Sequence, residues 1–211
     1  NSPYIGSVLA LFDSGMGWPV YGTIPPSISN DSSYQKGRFY NLDRGTFYCR
    51  DYKTRSLLWS VFVGTSYDSG PYPCIGNGMA FVTIAPKLYG IDLQTQQVKW
   101  SHDLRYSGTA SYHDGIVYAN GDGQLVARDA QTGRELWIAL GDGLCYGYPV
   151  IASGAVYMST NKGVFAVDAK SGQRLWSDFP GTGNGGLLTL GEGHLFLAGY
   201  GGKIRAYSLT P

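Results

Sequence analysis

From about residue 19 onward, apolar and polar positions alternate in runs of roughly six residues, each cut by Gly, Asn or Asp, which predicts β-strands joined by tight turns. In PVIASGAVYMSTNKG (149–163) two alternating runs are broken by Ser153-Gly154 and by Asn161-Lys162-Gly163. Equivalent breakers stand at Asn77-Gly78, Asp114-Gly115, Gly121-Asp122-Gly123 and Glu192-Gly193. Helical periodicity is hard to find anywhere in the chain.

The beat is organised into a repeat. TFYCRDYKTRSLLW (46–59), KLYGIDLQTQQVKW (87–100), QLVARDAQTGRELW (124–137) and VFAVDAKSGQRLW (164–176) align without gaps. In each, an Asp (Asp51, Asp92, Asp129, Asp168) precedes a Trp (Trp59, Trp100, Trp137, Trp176) by eight residues. Each unit reads as strand, turn, strand. The Asp caps the turn through backbone N–H groups, and Gly133 or Gly172 supplies a positive φ. The Trp is expected on an outer strand, wedged against the next unit, where such a ring buries on the order of 200 Å². Four strands per period of 37 to 41 residues is the spacing of a propeller blade.

A fifth unit starts at 184 and stops early. KIRAYSLT (203–210) aligns with KLYGIDLQ, with Ser208 in the Asp position, so a fourth strand is missing there. The N-terminal YIGSVLALFDSGMGWPVYG (4–22) aligns with WSVFVGTSYDSGPYPCIG (59–76), which puts Tyr4 in the Trp position and matches Asp13-Ser14-Gly15 to Asp68-Ser69-Gly70. The expected fold is therefore all-β: a five-bladed β-propeller of four-stranded antiparallel blades, closed by the N-terminal strand completing the last blade. The blades are expected at 19–62, 71–104, 107–140, 147–179, and 184–211 plus 3–12, in a single domain over 1–211. Single blades cannot bury both faces alone, so a two-domain division is not expected.

The repeat VFAVDAKSGQRLW and its relatives resemble the PQQ-type β-propeller repeat of quinoprotein dehydrogenases and of non-enzymatic BamB-like proteins. The matching residues are turn and packing positions, so the resemblance implies a fold more than an activity. For a dehydrogenase it implies an eight-bladed ring, a quinone between a Trp and a vicinal Cys-Cys disulfide, and a Ca²⁺. No Cys-Cys pair is present, so no catalytic residue is carried over and no cofactor is expected. For a BamB-like protein it implies a scaffold that binds polypeptide, in a ring that usually has eight blades.

Composition narrows the partners. With 16 Lys and Arg against 15 Asp and Glu the net charge is +1, so neither nucleic acid nor an anionic membrane surface is attracted as a whole. No run of 18 apolar residues suggests membrane insertion. The chain opens Asn1-Ser2-Pro3, compatible with a processed terminus, and an extracellular or periplasmic setting is expected. Cys49, Cys74 and Cys145 lack CxxC spacing and are expected as buried or partly buried free thiols.

His102, His113 and His194 share no metal-ligand spacing, and no metal is expected; His113, on an inner strand, reads as a hydrogen-bonded core group. No GxSxG, HExxH or Walker A motif occurs. Asn30-Asp31-Ser32 fits a glycosylation sequon.

Propellers bind where interblade loops converge. The loops at 12–19, 66–73, 104–111, 141–149 and 179–186 carry Trp18, Tyr67, Tyr72, Tyr106, Tyr146 and Tyr148 beside glycines, together with Asp13, Asp68 and Asp142. Tyr and Trp offer large contact area at small rotamer cost, so these nine residues are the candidate ligand site. The expected function is a non-catalytic binding module for a protein segment or a glycan. Two alternatives stay open: a five-bladed propeller enzyme of glycosidase or glutaminyl-cyclase type, with carboxylates in the channel, and a structural subunit of a surface assembly.

Overall fold

The computed structural model describes residues 32–65, 73–104, 109–179, 185–199 and 202–209. Within them, 19 strands form five antiparallel sheets. The first contains β1 (Ser32–Gln35), β2 (Arg38–Asp43), β3 (Thr46–Asp51) and β4 (Leu57–Phe62). The second contains β5 (Cys74–Gly76), β6 (Met79–Ile84), β7 (Lys87–Asp92) and β8 (Gln97–Asp103). The third contains β9 (Ala110–His113), β10 (Ile116–Gly121), β11 (Gln124–Asp129) and β12 (Glu135–Leu140). The fourth contains β13 (Cys145–Ala152), β14 (Ala155–Thr160), β15 (Gly163–Asp168) and β16 (Arg174–Asp178). The fifth contains β17 (Gly186–Gly191), β18 (His194–Gly199) and β19 (Ile204–Ser208), three strands among the described residues. Residues 3–12, expected as its fourth strand, lie outside the described residues.

Every sheet is a meander, with neighbours in space following the order of the chain. The opening hairpins turn at Lys36-Gly37, Asn77-Gly78, Asp114-Gly115, Ser153-Gly154 and Glu192-Gly193, each with two consecutive positive φ angles. That is the twist a two-residue hairpin loop needs, and glycine takes its second position without strain. The closing hairpins use the Asp. Asp129 Oδ1 accepts the N–H groups of Gln131 and Thr132 at 3.1 and 2.8 Å, and Asp168 Oδ1 accepts those of Lys170 and Ser171 at 3.1 and 2.8 Å. Asp51 and Asp92 repeat the arrangement. In all four, hydrogen bonds from the Thr or Ser three residues on hold the carboxyl below its ordinary range.

The core lies between sheets. Successive first strands touch in chain order, β1 with β5, β5 with β9, β9 with β13 and β13 with β17. The second strands β6, β10 and β14 each serve two interfaces at once: Ala80 and Val82 of β6 face the first sheet, while Met79 and Phe81 face the third. All six residues of β6 and all six of β14 are buried. A strand covered on both faces needs apolar side chains of both parities, so these two read as continuous rather than alternating runs.

The expected Trp wedge is observed. Trp100 Nε1 donates across the gap to the Ala130 carbonyl and Trp137 Nε1 to that of Ala169, both at 3.1 Å. Each indole also lies beneath the turn glycine of the next sheet: a Cβ on Gly133 would stand 2.7 Å from Cδ2 of Trp100, and one on Gly172 2.6 Å from Cδ2 of Trp137. These glycines therefore serve a positive φ and a close packing contact together. An aromatic residue flanks each indole from the second strand of its own sheet, with centroid distances of 6.4, 5.9, 5.8 and 6.1 Å for Tyr40–Trp59, Phe81–Trp100, Tyr118–Trp137 and Tyr157–Trp176. Burying an indole of roughly 200 Å² at 25 cal/mol per Å² contributes about 5 kcal/mol, several times a single hydrogen bond. The burial drives the contact, and the N–H fixes its position.

Trp59 and Trp176 are less deeply covered than Trp100 and Trp137. The turn facing Trp59 has Gln96 where the next two sheets have glycine, and Gln96 itself sits at φ +61. Trp176 meets Tyr207 of β19 at 5.3 Å.

Gly172→Val adds a side chain where the Trp137 ring already lies and forces a β-branched residue to positive φ. Chemical denaturation should show a loss of roughly 2–4 kcal/mol, against near-neutrality for Gly154→Asn, a change in an open turn.

Candidate functional site

The loop face rests on a second set of inter-sheet contacts, which begins with one polar residue in each middle strand. The fifth position of β6, β10 and β14 holds Thr83, Asn120 and Ser159, and the fourth of β2 holds Asn41, all buried. Buried amides and hydroxyls need partners, and for Asn120 and Ser159 the next sheet provides one. Asn120 Oδ1 accepts the Thr109 N–H at 2.7 Å, and its Nδ2 donates to the Gly147 carbonyl at 3.2 Å. Thr109 Oγ1 donates to the same carbonyl, and Ser111 Oγ donates to that of Pro149 at 2.7 Å. Ser159 Oγ accepts the Gly186 N–H at 3.0 Å, at the entry to the fifth sheet. The segment entering each of these sheets is thus tied to the sheet before it.

On this frame sits the 141–149 segment. Tyr146 pairs through its backbone with Ser159, and Tyr148 falls in the irregular stretch between Tyr146 and Val150 where the register shifts. The Tyr148 side chain is half-buried. Gly147, at φ +69, passes so close to β17 that a Cβ would lie 3.1 Å from Leu187. Asp142 is exposed and pairs with Arg174 at 3.7 Å; the Arg174 guanidinium lies over the Phe165 ring at 4.4 Å and near Phe179 at 5.9 Å. Asp142 therefore has a structural counter-ion. The other candidates, Trp18, Tyr67, Tyr72, Tyr106, Asp13 and Asp68, lie outside the described residues, as do Asn30 and Asp31 of the sequon. Of the nine, the structure describes Tyr148 and Asp142 with their side chains and brings them onto one segment.

The histidines divide. His113 is on β9 as expected, but the reading of it as a core group is corrected: it precedes the Asp114-Gly115 turn, is exposed, and stands 3.9 Å from the Asp114 carboxylate. At the end of a short strand the side chain clears the neighbouring sheet. His102 packs against Trp100 in a tilted arrangement with ring centroids 5.7 Å apart, and burial, reinforced by the Arg128 charge, lowers its pKa. His194 Nδ1 lies 2.8 Å from the Glu192 carbonyl. All three cysteines are free, Cys49 buried and the others half-buried; burial pushes Cys74 and Cys145 up to about 12. Such thiols are poor nucleophiles. Among the described residues no three His, Cys, Asp or Glu side chains gather into a metal site.

Sequence reasoning placed no site at the other end of the strands, where the hairpin turns lie. A cavity of about 550 Å³ opens there, lined by Arg38, Asn77, Gly78, Asp92, Leu93, Gln94, Gln96 and Gln131. It draws on three sheets. In the sequence Gln96, like Arg55 in the first unit, stands where the third and fourth units have glycine.

Comparison with known proteins agrees with this architecture. The family model described as outer membrane protein assembly factor BamB matches residues 22–209. Among curated proteins, the chain is similar to the dehydrogenase subunit of the quinone alcohol dehydrogenase of Gluconobacter oxydans, at 28% identity over 72% of this chain and 24% of that protein. It is similar also to the lanthanide-dependent methanol dehydrogenase of Methylacidiphilum fumariolicum, at 25% identity over 71% of this chain and 29% of that protein. The chain thus spans about a quarter of the length of these relatives. Among solved structures, BamB from Moraxella catarrhalis superposes with a TM-score of 0.70 at 18% identity, over 84% of this chain and 57% of that one. A europium-containing methanol dehydrogenase gives 0.67 at 12% identity, over 86% and 51%. At these identities the two structures speak for the fold alone.

Proposed function

The chain belongs to the β-propeller family of the outer membrane protein assembly factor BamB, and from that premise we propose that it is a non-catalytic scaffold, outside the cytosol, that holds a polypeptide segment on its inter-sheet loop face. The observation that carries this reading is the tethering of the 147–149 backbone to Asn120, Thr109 and Ser111, which supports a half-buried Tyr148 on a fixed frame. Rigid presentation of aromatic side chains lowers the entropic cost of binding. Trp18, Tyr67, Tyr72, Tyr106, Tyr146 and Tyr148 would supply the anchors. Of the two ligand classes expected, the family favours the protein segment. It also contains quinone dehydrogenases among its similar proteins, but Cys49, Cys74 and Cys145 are all separated in sequence, which removes the vicinal pair expected of a quinone site. Asp142, paired with Arg174, is a weak candidate for channel acid chemistry.

Panning a random peptide library against the chain, then measuring a selected peptide by calorimetry, tests the site. Trp18→Ala and Tyr148→Ala should each weaken binding at least tenfold, about 1.4 kcal/mol. Equal affinity in both variants would remove the loop face from the account.

The same proposal includes five blades in one domain, with residues 3–12 adding a strand beside β19. Among the described residues β19 has a partner on one side only, and Ile204 on it is 75% exposed. An uncovered edge of that kind invites pairing. Cross-strand nuclear Overhauser contacts between residues 4–12 and 204–208 are expected in solution. Contacts of 4–12 with any other strand would contradict this closure.

A further inference from the structure

The cavity at the hairpin-turn end is independent of the loop face, and its lining has a distinct chemistry. Four carboxamides, Asn77, Gln94, Gln96 and Gln131, and one guanidinium, Arg38, surround it. Gln131 is committed, donating to the Asn77 carbonyl and accepting from Lys99 Nζ, both at 3.0 Å. Asp92, the one carboxylate in the lining, has Oδ1 engaged by the Gln94 and Thr95 N–H groups at 2.8 and 2.9 Å. Within the lining Arg38 offsets that charge, and Lys99, outside the lining but bonded to Gln131, adds a second positive charge beside it, which favours an anion.

Gln96 is the second observation. It occupies the turn position held by Gly133 and Gly172 in the next two sheets and, like Arg55 at φ +62 in the first, adopts a positive φ, +61, that glycine takes freely and glutamine does not. Strain of this kind is retained where the side chain is used. Here the side chain lines the cavity. Replacing it with glycine would relieve the backbone and remove a wall of the pocket in one step.

We propose that this cavity binds the acidic side chain of an extended peptide, with Arg38 taking the carboxylate and the Gln94 and Gln96 carboxamides bonding the flanking main chain. A guanidinium matches a carboxylate through two parallel N–H donors, and each carboxamide offers both a donor and an acceptor to a peptide unit. The volume falls in the range of ligand pockets, and the open, polar lining implies weak, specific binding.

The test titrates the full chain, labelled with ¹⁵N, with acetyl-Gly-Glu-Gly-amide, acetyl-Gly-Gln-Gly-amide and free glutarate. The Glu peptide should move the side-chain amide signals of Asn77, Gln94 and Gln96 and bind at least tenfold more tightly than the Gln peptide. Arg38→Ala, a change at an exposed side chain, should abolish that preference. Gln96→Gly should raise the melting temperature and weaken the Glu peptide at least fivefold, a combination that a purely structural Gln96 would not give. Equal binding of the two peptides, unchanged affinity in either variant, or shifts confined to the opposite end of the strands would overturn the site. Glutarate binding as tightly as the Glu peptide would overturn the peptide as its source. None of these outcomes bears on peptides selected for the loop face, whose anchors lie at the other end of the strands.

Discussion

A four-stranded sheet with apolar side chains on both faces cannot stand in water by itself, and this constraint governs the whole structure. The second, third and fourth sheets are covered on two sides by their neighbours, and the cover must be held at a fixed distance and angle. The indoles of Trp100 and Trp137 meet that need near the outer edge, reaching beneath Gly133 and Gly172 to the carbonyls of Ala130 and Ala169. Asn120 and Ser159 meet it at the loop end, where they hold the strands that enter the next sheet. A sheet fastened at two separated points cannot rotate against its neighbour. The Asp129 and Asp168 turns serve the same requirement, because each presents a backbone carbonyl and a bare glycine to an incoming ring.

The residues that impose this order are the ones that repeat most visibly. Asp-to-Trp spacing revealed the third and fourth strands of each sheet, and Gly at the hairpins revealed the first and second, so the sheets were legible along nearly the whole chain. Other features depended on what lies across the gap, which a single segment does not state. The different depths of Trp59, Trp100, Trp137 and Trp176 are set by the neighbouring turn, Gln96 in one case and Gly133 or Gly172 in others. His113 differs from the core reading because it is the last residue of its strand, where the ring reaches solvent. The polar residues Asn41, Thr83, Asn120 and Ser159 stood in plain view inside apolar runs, yet their use emerges only when the next sheet is placed beside them. The hairpin-end cavity is harder still to foresee, since it gathers residues from three sheets.

Function separates from fold along the same line. The chain matches the BamB family and is similar also to a quinone alcohol dehydrogenase subunit, so a likeness of fold carries little information about a ligand. Specificity has to come from positions free of that duty. The 141–149 segment and the Gln96 turn, at opposite ends of the strands, are the two places proposed for it. One presents aromatic surface on a tethered backbone; the other presents amides and a guanidinium around a cavity.

The central claim is that indole-to-carbonyl contacts hold consecutive sheets together, and hydrogen exchange at the Trp Nε1 protons reads it directly. The Trp100 and Trp137 protons should exchange only as the whole domain unfolds, at the rate of the slowest β11 and β15 amides, with those of Trp59 and Trp176 exchanging sooner. Rapid exchange of Trp100 and Trp137 beneath still-protected strand amides would show that the sheets are held together by something else.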